Sequence, residues 1–505
     1  MQRMLSQLPA QEMLVAWQMT KTNDLNGEGC TAIIAVQPFA DITKVVSYMK
    51  ILKQGDSRVA KIINRKSLDK DKQYRVSQFV YQFSDGGRHL LYSTFTKEAV
   101  ELTVHEWQAF RKIKAAPAGC DFVAENGLEQ LALSRYIVEA DYDEIGQYKS
   151  VVFILKTVAR TDPGYSSYIV WPTSGCNARC IYCFEEGFRS RTMTTQTADR
   201  VIEFIKETKQ NGKIKIKWFG GEPLLGHKLI SYMCRKLKEN DIDFESTMIT
   251  NCSLVTEELA KEISELWNMK RIQVSLDGDK ADYEKRKRYY APGKHNYETV
   301  IRGIRFLAAQ GLKINLRCNV DSNNIDGLAA FVNQLKADIG NIENINLYLS
   351  PLFGVDKCRP SEELFAKMAD LTEYCRAIGL SKNSHNADTK FRVNYCMADS
   401  MDKTIGIGPD GEFNNCDSLL EQNVWGNIFD GVTDQNKFEK LKSPADIDEK
   451  CRNCCFLPKC TPFYRQRCPL NLEECFEFNS MKTESYLRTL LKGVNTETDD
   501  DDEEI

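Results

Sequence analysis

Between residues 166 and 355 the chain repeatedly changes its hydrophobic period, and that alternation restricts its fold more than any other feature. Strand-like runs at Ser167–Thr173, Ile214–Phe219, Ser246–Thr250, Arg271–Leu276, Lys313–Val320 and Ile345–Leu349 are separated by helix-like stretches near 194–208, 226–239, 256–267, 297–310 and 324–338. Strands divided by helical connections pair in parallel. The reading is an α/β fold, a partial TIM-like (βα)6 barrel, with its chemistry at the C-terminal ends of the strands. The segments that follow the first, second and fourth strands hold the chain's most reactive patterns.

The first of these is Ser174-Gly-Cys-Asn-Ala-Arg-Cys-Ile-Tyr-Cys-Phe184. Cys176, Cys180 and Cys183 at Cx3Cx2C spacing fit one tight loop and leave a fourth coordination position without a protein ligand. Structural metal sites are normally closed by four ligands, whereas catalytic ones keep a position open. A [4Fe–4S] cluster on three cysteines has one iron free for a small molecule; a zinc knuckle is the structural alternative at this spacing. Of the 18 cysteines, three lie here and eight between 396 and 475. Disulfides do not persist in a reducing compartment, so this clustering points to metal or redox chemistry. The scattered Cys30, Cys120, Cys234, Cys252, Cys318, Cys358 and Cys375 read as small buried hydrophobes.

Composition excludes several classes. At 505 residues, 42% hydrophobic and 27% charged, the chain is globular and should hold two to four domains. A net charge of −4 makes no electrostatic case for nucleic acid or an anionic membrane. Apolar runs such as Thr31–Val36 and Val151–Leu155 are too short to span a bilayer. No basic segment followed by an apolar core opens the chain, so a cytoplasmic location is expected.

Around the barrel, assigned to 166–380, four further segments are expected. Residues 1–73 carry no motif, although Thr31–Val36 could be a strand and Asp41–Leu52 a helix. Residues 74–165 read as a small α+β module. Val76–Phe83 and His89–Thr94 flank the turn Ser84-Asp-Gly-Gly, Thr103-Val-His-Glu106 has the form of a capping box, and a second helix covers Asn126–Ala132. Residues 381–480 are cysteine-dense and loop-rich, a domain organised by metal rather than by a core. Residues 481–505 comprise a helix end and an acidic, disordered tail.

Cx3Cx2C with the aromatic Tyr182 before its last cysteine resembles the radical S-adenosylmethionine (SAM) enzymes. That resemblance extends to Trp218-Phe-Gly-Gly-Glu-Pro223 and Ser275-Leu-Asp-Gly278 at the second and fourth strand ends. It implies that Gly220, Gly221 and Glu222 receive SAM's amino group. Glycine lets backbone approach closely and a carboxylate suits an ammonium. It also implies that Ser275 meets the ribose and that Arg286, favoured over Arg288, meets the carboxylate. The run Glu284–Arg288 otherwise reads as a solvated helix face. Asn251, Arg317 and Asn319 are further candidate contacts, and Arg317 fits a structural ion pair equally well.

The second cysteine set, Cys396, Gly411-Glu-Phe-Asn-Asn-Cys416, Cys451-x2-Cys454-x5-Cys460, Cys468 and Cys475, resembles the SPASM extension of that family. This implies two auxiliary [4Fe–4S] clusters, on Cys396, Cys416 and Cys468 and on Cys451, Cys454, Cys460 and Cys475. Cys455 reads as a bystander, and Tyr464 stands where the family carries another cysteine. Asp417 resembles the catalytic base of the anaerobic sulfatase maturases, and a surface carboxylate is the other reading of it. The resemblance implies reductive SAM cleavage to a 5′-deoxyadenosyl radical, with electrons from a flavodoxin or ferredoxin. The substrate expected first is a ribosomally made precursor peptide, cross-linked by a thioether and held through the module at 74–165. An anaerobic sulfatase maturase is the second reading, and a zinc-stabilised interaction protein without catalysis is the third.

Overall fold

The computed structural model describes residues 50–69, 71–121, 128–159, 163–340, 343–352, 361–382, 391, 403–415, 424–442, 447, 449–459 and 472–492. The expected strand Thr31–Val36, most of the expected helix Asp41–Leu52 and the acidic tail lie outside them. So do Cys396, Cys416, Asp417, Cys460 and Cys468.

Two small sheets form the N-terminal part. β1 (Lys50–Lys53), β3 (Val80–Asp85), β4 (Arg88–Ser93) and β5 (Ala99–Leu102) make one in the order β1-β5-β4-β3. β2 (Gln73–Val76), β6 (Cys120–Asp121) and β7 (Ile137–Glu139) make the other. The Gly86-Gly87 turn joins β3 to β4, and both glycines have positive φ, as a tight hairpin requires. Lys50–Lys53 is therefore strand where the end of a helix was expected, and the sheet begins upstream of residue 74. The expected capping box is present: the Thr103 hydroxyl accepts from the Glu106 N–H at 3.2 Å, and the Glu106 carboxylate accepts from the Thr103 N–H at 2.8 Å. It opens the helix Val104–Lys114, which buries Phe110 and Ile113 against Tyr74, Leu91 and Val100.

Strands alternate their side chains between faces, so the opposite face of this sheet presents Phe83, Leu90, Tyr92 and Ala99. Tyr486, Leu487 and Leu490 cover it. They belong to the helix Leu472–Leu491, which runs through the boundary expected at 480.

The barrel strands are β8 (Ser167–Thr173), β9 (Ile214–Gly220), β10 (Phe244–Thr250), β11 (Met269–Ser275), β12 (Lys313–Val320) and β13 (Ile345–Pro351). All five neighbouring pairs are parallel. Helices 195–208, 227–239, 257–266, 297–309 and 328–339 return the chain over one face. Between sheet and helices Val170, Ile216, Trp218, Met248, Val274, Leu316 and Leu347 form part of the main core. On the other face Ile169, Trp171 and Phe219 make a small apolar cluster.

The cysteine-dense segment departs from expectation. β14 (Thr404–Ile407) adds to the barrel sheet parallel to β8, and β15 (Glu412–Asn414), β16 (Gly426–Asn427) and β17 (Gly431–Val432) continue it antiparallel. Ile405, Ile407, Phe413, Trp425 and Ile428 join the barrel core. Hydrophobic burial thus holds this part of the segment, where organisation by metal rather than by a core was expected. Among the described residues no helix is long and apolar enough to cross a membrane.

Candidate active site

The cysteine loop crosses the C-terminal ends of the barrel strands and is fastened from three sides. Toward β9, the Glu222 N–H donates to the Gly175 carbonyl at 2.9 Å and the Gly221 N–H to the Thr173 carbonyl at 3.3 Å. Gly220 has φ +123°, and a Cβ there would run into the Thr173 carbonyl, while one on Gly221 would meet the Gly175 carbonyl. The two glycines are required by this close approach of backbones. Toward β10, the Asn251 amide donates to Asn177 Oδ1 at 2.8 Å, and Asn251 Oδ1 accepts from the Ser253 hydroxyl at 2.7 Å. On the third side the last turn and C-cap of the helix Lys280–Lys287 take over. The Arg179 N–H donates to the carbonyls of Lys287 and Arg288, both at 3.1 Å, and the Ile181 N–H to that of Arg286 at 2.9 Å.

Glu222 is 1% exposed, and the chain itself satisfies most of its carboxylate. Oε1 accepts from the Leu224 N–H at 3.0 Å and the Thr250 hydroxyl at 2.7 Å, and Oε2 from the Asn251 N–H at 2.7 Å. A carboxylate has about four lone-pair directions, so one is left for a ligand. Burial raises its pKa, opposed by those three hydrogen bonds and by the Lys287 charge.

Arg286 and Lys287 correct the reading of Glu284–Arg288 as a solvated face, because both are buried. Arg286 Nη2 pairs with Asp321 Oδ2 at 2.9 Å, an in-chain carboxylate that the sequence reading did not identify. The Arg286 Nε–H is buried with no hydrogen-bond acceptor among the described residues. Lys287 Nζ lies 2.8 Å from the Tyr182 hydroxyl and 3.4 Å from Asp277 Oδ2. The Tyr182 hydroxyl also donates to Asp277 Oδ2. Asp277 Oδ1 accepts from the N–H and the side-chain amide of Asn319, each at 2.9 Å. Burial, then the Asp277 charge, holds Tyr182 protonated. Asp277 lies within Ser275-Leu-Asp-Gly278 and Lys287 within the charged run Glu284–Arg288, and nothing local marks either as buried. Ser275 ends β11, half-buried, and is paired in register with Arg317, whose Nε donates to Asn319 Oδ1 at 3.0 Å.

The three loop thiols are free and partly buried. Burial, followed by the Glu222 charge, pushes Cys176 up to about 12, and burial also raises Cys180 and Cys183. Among the described residues no three His, Cys, Asp or Glu side chains converge as the shell of one metal ion. Three features fit a [4Fe–4S] cluster with SAM: the glycine-lined backbone approach, the spare lone pair of Glu222 and the unsatisfied Arg286 Nε–H.

Of the second cysteine set, Cys451, Cys454 and Cys475 are described. The Cys454 N–H closes a turn onto the Cys451 carbonyl at 3.1 Å. Phe456, just beyond, packs its ring 5.4 Å from that of Phe476, next to Cys475. The two elements that carry these three cysteines are thus neighbours.

Residues 171–333 match the Radical SAM superfamily model. An uncharacterized protein of Methanocaldococcus jannaschii is 26% identical over 286 residues, covering 55% of this chain and 94% of that protein. A probable GTP 3′,8-cyclase of Archaeoglobus fulgidus is 32% identical over 208 residues, 39% of this chain and 66% of that protein. The solved structure of native anSMEcpe with bound AdoMet superposes with a TM-score of 0.52 at 18% identity, covering 65% of this chain and 98% of that one. At that identity the likeness is one of fold.

Proposed function

We propose, from the premise that residues 171–333 form the radical SAM domain of an enzyme, that this chain modifies a ribosomally made precursor peptide, joining its residues by a thioether or another cross-link. One observation carries the peptide reading: the small α+β module is built onto the cysteine-rich end of the chain. The Thr94 hydroxyl donates to the Cys455 carbonyl, and the Gln78 amide to the Arg452 carbonyl at 3.0 Å. Tyr81 packs on Phe456 with ring centroids 5.2 Å apart, and Leu457 joins Phe79, Phe95 and Tyr148 in one cluster. A leader peptide held by strand addition to such a module would be tethered beside the Cys451–Cys454 turn.

In this reading Cys176, Cys180 and Cys183 hold three irons of a [4Fe–4S] cluster. Gly220, Gly221 and Glu222 receive the amino group of SAM, Ser275 its ribose and Arg286 its carboxylate. When bound, cluster and SAM supply one-electron reductive cleavage and hydrogen abstraction. The chain's part is to bind, orient and shield. Asn251 ties the cysteine loop to β10, and Ile169, Trp171 and Phe219 give the barrel interior an apolar wall that limits water near a radical. Cys396, Cys416, Cys451, Cys454, Cys460, Cys468 and Cys475 would hold two auxiliary clusters, and Asp417 would act as a base. A flavodoxin or ferredoxin would deliver the electron.

The test is anaerobic co-expression with a small cysteine-rich reading frame from the neighbouring genes, followed by mass spectrometry. The peptide should lose the mass of two hydrogens per cross-link, and the variant with Cys176, Cys180 and Cys183 all replaced by alanine should lose about four irons and leave the peptide unmodified. An unmodified peptide alongside conversion of a sulfatase-derived cysteine peptide would establish the sulfatase-maturase reading instead. Zinc in place of iron would remove the radical reading altogether.

A further inference from the structure

Lys287 joins the cysteine loop to the polar framework at the ends of β11 and β12. It is 2% exposed, on the last turn of the helix Lys280–Lys287. A buried ammonium needs a close counter-charge and hydrogen-bond partners. Lys287 finds both in one place: Asp277 Oδ2 at 3.4 Å and the Tyr182 hydroxyl at 2.8 Å, with the Tyr182 ring centroid 5.4 Å away. Asp277 is fully buried and anchored at its other oxygen by Asn319 on β12, while the Asn324 amide donates to the Asp277 carbonyl at 2.9 Å. The ammonium thus ties the aromatic of Cys180-Ile-Tyr-Cys183 to the ends of β11 and β12. Backbone bonds from Arg179 and Ile181 to residues 286–288 fasten the same two segments.

The second consequence is electrostatic. Burial works against the Lys287 charge, and the pull of Asp277 and Tyr182 outweighs it, so the ammonium stays protonated. The charge sits 2.8 Å from the hydroxyl of Tyr182, the residue just before Cys183 in the loop. In a dry interior such a charge is felt strongly, and cluster potentials respond to net charge and hydrogen bonding around the sulfurs.

The geometry points to Lys287 as a positioning residue that locks the cysteine loop to the barrel and, by its fixed positive charge against Tyr182 in that loop, raises the reduction potential of the cluster held there. This rests on reading residues 176–183 as a cluster loop. The experiment compares Lys287→Met and Lys287→Arg with the wild-type holoenzyme by iron analysis and a potentiometric titration followed by electron paramagnetic resonance. Lys287→Met should shift the midpoint potential to more negative values, and Lys287→Arg should restore it toward wild type. Full iron content with an unchanged potential in Lys287→Met overturns the proposal.

If Lys287→Met takes up no cluster, amide hydrogen exchange of the apoprotein decides. Faster exchange confined to residues 179–183 supports the lock, whereas unchanged exchange, or exchange raised throughout the barrel, overturns it. Wild-type protein that binds no iron–sulfur cluster would defeat the radical reading itself, and the apoprotein exchange would then judge the lock alone.

Discussion

Replacing Glu222 by glutamine keeps the shape of the side chain and removes its charge, and the hydrogen bonds around it set the size of the effect. The carboxylate accepts three bonds and donates none. With its oxygen toward Leu224 and Thr250, the substituted side chain presents an amide N–H to the Asn251 N–H, and two buried donors face each other. With the amide turned over, the Asn251 bond survives, but the Leu224 N–H meets a donor. Thr250 can accept the amide N–H on the lone pair that the Cys252 N–H, at 2.9 Å, leaves free, but the Leu224 N–H still has no acceptor. One charge-assisted hydrogen bond, worth about 1.5–3 kcal/mol, is lost, and the remaining ones weaken to neutral strength, about 0.5–1.5 kcal/mol each. Relief of the carboxylate's burial cost offsets part of this. The net local cost is about 2–3 kcal/mol, which accelerates exchange of an amide opened by the change roughly 25- to 150-fold. Hydrogen exchange of the apoprotein, read on peptides spanning Leu224 and Asn251, measures this directly. Wild-type protection at both amides in Glu222→Gln would refute the account of the carboxylate as the tie between the β9 and β10 ends.

Three further outcomes are expected. Gly220→Ala forces a side chain into a positive-φ site facing the Thr173 carbonyl, and should cost at least about 1–3 kcal/mol, seen as a lowered thermal unfolding midpoint of the apoprotein. Burial raises the Cys176 thiol from its ordinary 9.0 to about 12, so the apo fold binds this proton more tightly than the unfolded chain does. Its stabilising effect is present below pH 9 and lost as pH rises toward 12. Cluster binding needs the thiolate, so iron–sulfur affinity in anaerobic reconstitution should rise with pH by up to about tenfold per unit per buried thiol, and a pH-independent affinity would contradict this. Leu487→Ala, at a fully buried position under β3, β4 and β5, should cost about 2–5 kcal/mol and release the helix Leu472–Leu491 to limited proteolysis.

Much of the barrel was legible because its signals are local. Ser167–Thr173 and Lys313–Val320 carry their period within a single strand, and both appear as expected. The cysteine loop and the Gly220-Gly221-Glu222 turn were legible because each packs its chemistry into a few consecutive residues. The run Glu284–Arg288 misled for the same reason: five consecutive charges read as solvated, and only Asp321 and Asp277, outside that run, make burial of Arg286 and Lys287 tolerable.

The sequence by itself determined the order of strands and helices, the close spacing of Cys176, Cys180 and Cys183 and the motifs at the strand ends, since all of these are written in short-range spacing. Tertiary structure alone decided what joins them. It set β14 beside β8 across more than 200 residues, laid the Leu472–Leu491 helix on the N-terminal sheet, and paired the Arg286 charge with Asp321. It also placed an ammonium against Tyr182 and Asp277. Periodicity tells which face of an element seeks cover, but a buried charge is stable only where the fold brings its partner, and that meeting has no local signature.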